Sequence, residues 1–259
     1  MLDSLYAGAL EDARKRQENL SLSAVEKLAI SATPALDAIG FLGSGSTINV
    51  IAEIKRASPS KGLLANIAEP AALARVYEGA GANAISVLTE QRSFLGSLAD
   101  FDAVRTAVTI PVLRKDFIAS EYQVLEARAH GADIVLLIAA GLERDDLIRL
   151  KLLIESFGMC AFIETHTLDE VKFASSIDAK LVGINARNLT TFETDRGLFG
   201  ELANQLPRGC IKVAESAVRD ADDVRAYAAA GAHCVLVGEA LVTGNAKSLL
   251  ESFTQIAKA

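Results

Sequence analysis

An α/β fold of the (β/α)8 TIM-barrel class, preceded by an N-terminal helical extension, is predicted by three features of this sequence. From residue 48 onward, short β-branched apolar runs alternate with Ala/Leu-rich segments of helical period, roughly 25 residues apart, and eight such units can be counted. Glycine punctuation recurs where a helix gives way to the next strand, as in Gly79-Ala80-Gly81-Ala82, Gly131-Ala132-Asp133 and Gly231-Ala232-His233. No Pro/Ser-rich linker separates the units, and 259 residues, 51% of them hydrophobic, are enough to bury the core of one closed barrel. The chain therefore reads as a single domain over 1–259, with the extension at 1–47 and the barrel at 48–259.

Within the extension, Leu2, Leu5, Tyr6, Ala9 and Leu10 recur at helical spacing, and Ser23-x-x-Glu26 resembles a capping box that opens a second helix. Such a segment must pack on the barrel or cap one of its ends. The barrel strands are expected at Asn49–Ile54, Ala84–Leu88, Val112–Lys115, Ile134–Ile138, Cys160–Glu164, Leu181–Ile184, Ile211–Ala214 and Cys234–Val237. An open doubly wound sheet would alternate in the same way. Its glycine-rich phosphate turn is missing, however, because the residues after the first strand read KRASPSKG with no G-x-G-x-x-G.

A net charge of −7 leaves no clustered positive footprint for a phosphate backbone, so no nucleic-acid partner is expected. The short run Arg14-Lys15-Arg16 reads as a solvated helix face. The first residues begin acidic and break their apolar stretch at Glu11, unlike a signal peptide, and no window is long enough to span a membrane. Cys160, Cys210 and Cys234 each sit at or beside the start of an apolar run, which suits reduced core thiols in a cytoplasmic protein. Three scattered histidines and no C-x-x-C pair give no expectation of a metal site. Self-association leaves no legible signature, and a monomer is the default.

In a parallel barrel the active site forms at the C-terminal ends of the strands, so ionisable residues that close apolar strands mark it. Glu53 and Lys55 end the first strand and share one face by the period of 2. Leu113, Lys115 and Phe117 share a face on the third. Glu164 ends the fifth, Asn185 and Arg187 follow the sixth, and Glu215 with Ser216 ends the seventh. Any one of these could be an ordinary surface charge. Together, Glu53, Lys55, Lys115, Glu164, Arg187 and Glu215 would meet in one mouth, where partly desolvated charges must pair with each other or with a ligand. Carboxylates beside lysines in a cleft are also what acid/base chemistry requires. The loops after strands seven and eight, Ser216-Ala217 and Gly238-Glu239-Ala240, suit backbone binding of a phosphate, although Gly238 is equally compatible with a simple tight turn.

These residues support a family resemblance. The stretch Val50–Gly62 (VIAEIKRASPSKG) closely resembles the signature of the indole-3-glycerol phosphate synthases. The likeness continues in order through Ser86–Ser97 (SVLTEQRSFLGS), Pro111–Ile118 (PVLRKDFI), Ile163–His166 (IETH), Gly183–Leu189 (GINARNL), Val213–Ser216 (VAES) and Leu236–Glu239 (LVGE). The resemblance implies conversion of 1-(2-carboxyphenylamino)-1-deoxyribulose 5-phosphate to indole-3-glycerol phosphate in tryptophan biosynthesis, with loss of CO2 and water and without metal or organic cofactor. The implied partner is a small phosphorylated substrate, with other enzymes of the pathway left open.

Carried over position by position, Lys115 resembles the general acid that protonates the substrate carbonyl oxygen, and Glu164 the base that later removes a proton. Glu53 resembles a carboxylate that orients Lys115 and the substrate hydroxyls. Lys55 resembles the lysine bridging the phosphate and carboxylate ends, and the division of acid roles between Lys55 and Lys115 stays open. Asn185, Arg187 and Glu215 resemble residues that orient the sugar chain and the reacting centre. Ser58 would face the anthranilate carboxylate, Phe94 and Phe117 would wall the ring, and Ser216, Leu236, Gly238 and Glu239 would line the phosphate and ring pockets.

Two positions invite separate expectations. The family usually has glycine where this chain has Ala217, so the loop after strand seven is expected to keep its N–H donors without a positive φ. His166 shares a face with Glu164 and could be read as a rival base, but is expected as a loop residue near the rim. Another phosphosugar barrel, such as a phosphoribosylanthranilate isomerase, would lack the long extension and the Glu53/Lys55 pair. A binding protein without turnover would show erosion of the charged set, and none of its six positions is missing.

Overall fold

The computed structural model describes residues 1–188, 193–207 and 209–259, so Leu189, the last residue of one family-like stretch, lies outside the described residues. Among the described residues eight parallel strands close a barrel. They are β1 (Asn49–Ile54), β2 (Ala84–Leu88), β3 (Val112–Lys115), β4 (Ile134–Ile138), β5 (Cys160–Thr165), β6 (Leu181–Asn185), β7 (Ile211–Glu215) and β8 (Cys234–Val237). Each pairs with its neighbour in sequence, and β1 closes the ring on β8 with Ile51 opposite Leu236. Strands five to seven run one residue beyond the sequence reading. Thr165 pairs with Ile184 and Asn185 with Glu215, so these polar strand ends are held by ladder hydrogen bonds.

Side-chain alternation divides each strand between two cores. On β1, Val50, Ala52 and Ile54 face the surrounding helices, while Ile51 joins Ala84, Leu113, Ile134, Phe162, Leu181 and Leu236 inside the ring. Burying each such aliphatic side chain contributes about 1.5–3 kcal/mol. This packed floor sets the depth at which Glu53 and Glu164 emerge above it.

The extension folds as α1 (Leu2–Asn19), α2 (Leu22–Ser31) and α3 (Ala38–Gly43). Tyr6 and Ala9 of α1 pack on the same inner core as Phe117, and α3 puts Leu42 against that core from below. The Asn49 amide donates to the Leu42 carbonyl at 2.6 Å and ties this plug to β1. α3 itself was not legible as a helix; Asp37 caps it by accepting from the Gly40 N–H.

Two readings of the extension need correction. Ser21, not Ser23, caps α2: its backbone is extended and its side chain accepts from the Ala24 N–H, whereas Ser23 already lies in the first turn. Arg16, read as part of a solvated face, instead forks onto Glu126 at 2.6 and 2.9 Å. Glu126 is shared with the fully buried Arg114 at 2.9 Å. This places a buried ion pair, not water, beneath α1.

The three cysteines are free, with Cys210 and Cys234 buried and Cys160 half-buried. Burial pushes the Cys210 thiol up to about 11. Among the described residues no helix is long and apolar enough to cross a membrane.

Candidate active site

A cavity of about 620 Å³ opens at the C-terminal ends of the strands, and it is lined by every residue expected to act in catalysis or substrate binding. At its base, Lys55 Nζ lies 2.7 Å from Glu53 Oε1. The other Glu53 oxygen is buried with no hydrogen-bond partner among the described residues. Gly238 permits this arrangement, because a Cβ there would collide with the Glu53 carboxylate.

Across the mouth, Lys115 Nζ donates to Glu164 at 3.0 Å and to Glu215 at 3.1 Å. Glu164 and Glu215 are buried and Lys115 is half-buried, so their charges are screened less than at the surface. Burial alone would push the Lys115 ammonium down, but Glu164, Glu215 and Glu53 more than offset it and hold it above its ordinary value. Burial likewise opposes ionisation of Glu164, yet Lys115, His166 and Asn185 keep it well below the usual carboxylate range. Glu215 goes the other way: burial, then the neighbouring Glu164 charge, push it up to about 8. Two carboxylates around one lysine are thus pushed in opposite directions.

The polar wall continues through β6. The Asn185 amide donates to Glu164 Oε1 at 3.0 Å, while its own oxygen accepts from the Ser216 hydroxyl at 2.7 Å and from the Arg187 N–H at 3.0 Å. Opposite stand Phe117 and Phe94, with ring centroids 6.1 Å apart, and Tyr6 meets Phe117 edge-on at 5.5 Å. Leu236 adds an aliphatic patch. Ser58 sits on a short hairpin (Ala57–Ser58 with Gly62–Leu63) that overhangs the cavity. Lys61 at its tip pairs with the Glu239 carboxylate.

The loop after β7 overturns one expectation. Ser216 and Ala217 both have positive φ, 69° and 59°. The Glu215–Ser216 chain must turn sharply at the end of the ladder, and the left-handed region supplies that turn whether or not glycine is present. Alanine there costs about 1–2 kcal/mol, of which glycine's extra chain entropy returns about 0.5–1. Ala217→Gly is therefore expected to raise the urea midpoint by the equivalent of about 0.5–1 kcal/mol at unchanged slope. A lowered midpoint would show that the methyl packs usefully enough to outweigh its strain.

Several site-forming residues escaped the sequence reading. Leu2 and Leu5 of α1 line the cavity, and nothing local in their helical spacing says which barrel end they reach. Glu90 is buried and accepts the N–H groups of Arg92, Ser93 and Phe94, which fixes the loop that presents Phe94. Gly183 leaves room for Glu215, since a Cβ there would strike its carboxylate. Both Glu90 and Gly183 lie inside the family-like stretches, which was the available signal. His166 follows β5 as a loop residue, as expected, but it is packed behind Glu164 and not at the rim.

Comparison with known proteins agrees with this architecture. Among solved structures, an N-acetylmannosamine-6-phosphate 2-epimerase from Clostridium perfringens superposes with a TM-score of 0.60 at 16% identity, covering 80% of this chain and 92% of that one, a likeness of fold alone. Curated relatives described as indole-3-glycerol phosphate synthase are much nearer in sequence. One from Leifsonia xyli is 58% identical over 98% of this chain and 97% of its own length, and one from Rhodococcus opacus is 56% identical over 94% and 90%. The model of the same family matches residues 2–252, so extension, barrel and charged mouth are spanned by one match, and the chain belongs to the indole-3-glycerol phosphate synthase family.

Proposed function

We propose that the cavity carries out the family's reaction with Lys115 as general acid and Glu164 as base. The substrate, 1-(2-carboxyphenylamino)-1-deoxyribulose 5-phosphate, would lie with its phosphate toward Ser216, Ala217, Gly238 and Glu239. Its ring would rest against Phe94, Phe117 and Leu236, and its carboxylate would reach toward Ser58 and Lys55. Attack of the ring carbon on the carbonyl builds negative charge on oxygen, and an ammonium fixed in a water-poor pocket stabilises that charge and can donate its proton. The carboxylate then leaves as CO2. Loss of water and removal of a ring proton by Glu164 restore aromaticity. Because an anionic carboxylate leaves as a neutral gas, one proton is taken up in the net reaction.

The observation that carries this assignment is the Lys115 contact with two buried carboxylates, Glu164 held low and Glu215 pushed up. It supplies a cation, a base and a neutral hydrogen-bond donor within one hydrogen-bonded group. Glu53 and Lys55 hold the opposite end, while Asn185, Arg187 and Glu215 orient the sugar chain. The free, largely buried thiols support a cytoplasmic setting for an enzyme of one domain.

The test is direct. Purified protein mixed with the substrate should develop indole emission at the same rate with and without EDTA. Absence of emission from folded protein would refute the assignment, and sensitivity to chelator would refute the metal-free form of it.

A further inference from the structure

The buried centre has more negative groups than cations to satisfy them. Lys55 is taken up by Glu53, so Glu164 and Glu215 share Lys115 at nearly equal distances, 3.0 and 3.1 Å. Two carboxylates this close cannot both ionise cheaply, and one retains a proton. Lys115 alone does not decide which.

An asymmetry lies just outside the cavity. His166 follows β5 and its side chain is 11% exposed, between two carboxylates. Nε2 is 3.4 Å from Glu164 Oε1, and Nδ1 is 3.6 Å from Glu170 Oε2. Glu170 belongs to α4 (Leu168–Ser176) and is anchored by accepting the His166 backbone N–H at 2.8 Å. Each ring nitrogen therefore faces a carboxylate at ion-pair distance, although neither meets hydrogen-bond geometry, so the attraction is one of charge and suits an imidazolium. Among the described residues Glu215 has an ion pair with Lys115 alone, and its Oε1 is buried and lacks a hydrogen-bond partner. The remaining groups near the pair do not compensate. Asn185 from β6 donates to Glu164, Tyr6 from α1 is kept neutral by burial and by the Glu164 charge, and Glu53 from β1 adds only negative potential at Lys115.

We propose that His166 is a positioning residue whose imidazolium, held between Glu164 and Glu170, directs the negative charge of the Lys115 pair onto Glu164 and leaves the proton on Glu215. The inference rests on Glu164 being the base. Titration directions agree with it: burial opposes the His166 charge, but the flanking Glu164 and Glu170 carboxylates push it up to about 9. Through neutral pH the histidine is then charged, Glu164 is ready to accept a proton, and the orphaned Glu215 oxygen has one to donate to a substrate oxygen.

The experiment compares the pH dependence of kcat and KM in the wild type, His166→Gln and Glu170→Gln, with a 1H NMR titration of the histidine rings. Only three histidines are present, and the signal lost in His166→Gln identifies its own. Removing a cation beside a carboxylate raises the carboxylate's pKa, so the acid limb of kcat should move upward by about 1–3 pH units in His166→Gln. The ratio of variant to wild-type kcat should climb toward one as pH rises, with KM little changed. In the wild type the His166 ring should titrate above pH 8, and Glu170→Gln should lower that midpoint and shift the limb less. Should His166→Gln fail to fold, Glu170→Gln and the wild-type titration still decide.

A kcat ratio that stays constant with pH, or a His166 ring titrating at or below its ordinary 6.5, would overturn the proposal. The ring titration does not depend on turnover. If Glu164→Gln kept full activity while His166 still titrated high, the base assignment would fail and this inference with it. If Glu164→Gln were inactive and the His166→Gln limb unmoved, this inference alone would fail.

Discussion

Lys115→Met lowers kcat for indole formation by about 10²–10⁴ while substrate still binds, the range expected for loss of a positioned general acid. Methionine preserves most of the side-chain volume, so the wall of the cavity keeps its shape. What disappears is the one cation that Glu164 and Glu215 share. With Glu215 already inclined to hold a proton, the variant meets part of the electrostatic loss by protonation, and the fold survives as judged by an unchanged circular dichroism spectrum. The emission assay at saturating substrate measures the effect. A kcat within about tenfold of wild type would move the acid role to Lys55, because general acid catalysis of the leaving oxygen cannot be removed so cheaply.

Glu164→Gln is expected to lower kcat by a similar factor of about 10²–10⁴, with KM changed far less. Glutamine can still accept the Asn185 amide hydrogen bond that Glu164 Oε1 receives at 3.0 Å, so the wall of the cavity keeps its shape. It cannot take a proton. Since the base acts after the carboxylate has left, indole emission should fall more than the first-turnover release of CO2. Measuring both in one quenched time course separates the roles: equal loss of both signals would place Glu164 before decarboxylation, and no loss of either would remove it from the chemistry.

Most of the architecture was readable because each strand states its limits in residue types. β-Branched runs, terminal charges and glycine stops recur, and the period of 2 put Glu53 with Lys55 on one face before any coordinates. The strand ends at Thr165, Asn185 and Glu215 were placed one residue short because polar side chains look like loop, whereas the ladder continues beneath them. Ala217 misled for the opposite reason. Alanine usually signals an ordinary φ, and here the turn after β7 overrides that preference. Arg16 was misplaced because its partner Glu126 becomes a neighbour only once α1 packs on the barrel. Local composition cannot reveal a charge's partner across more than 100 residues, as for Arg16 and Glu126.

The ion pair beneath α1 also bears on how the barrel finds its strand alignment. Arg114 and Lys115 are adjacent on β3 and point to opposite sides, the guanidinium toward Glu126 behind the sheet and the ammonium into the cavity. A slip of one residue would exchange them, turning every inward residue outward. Arg114 would lose its buried contact with Glu126, and Lys115 its contacts with Glu164 and Glu215. Stranding one member of such a pair costs about 3–5 kcal/mol, and the slip would strand several at once. Neighbouring charges of the same sign thus act as a check on alignment: each is soluble only on its own side, so a misaligned strand is rejected during assembly.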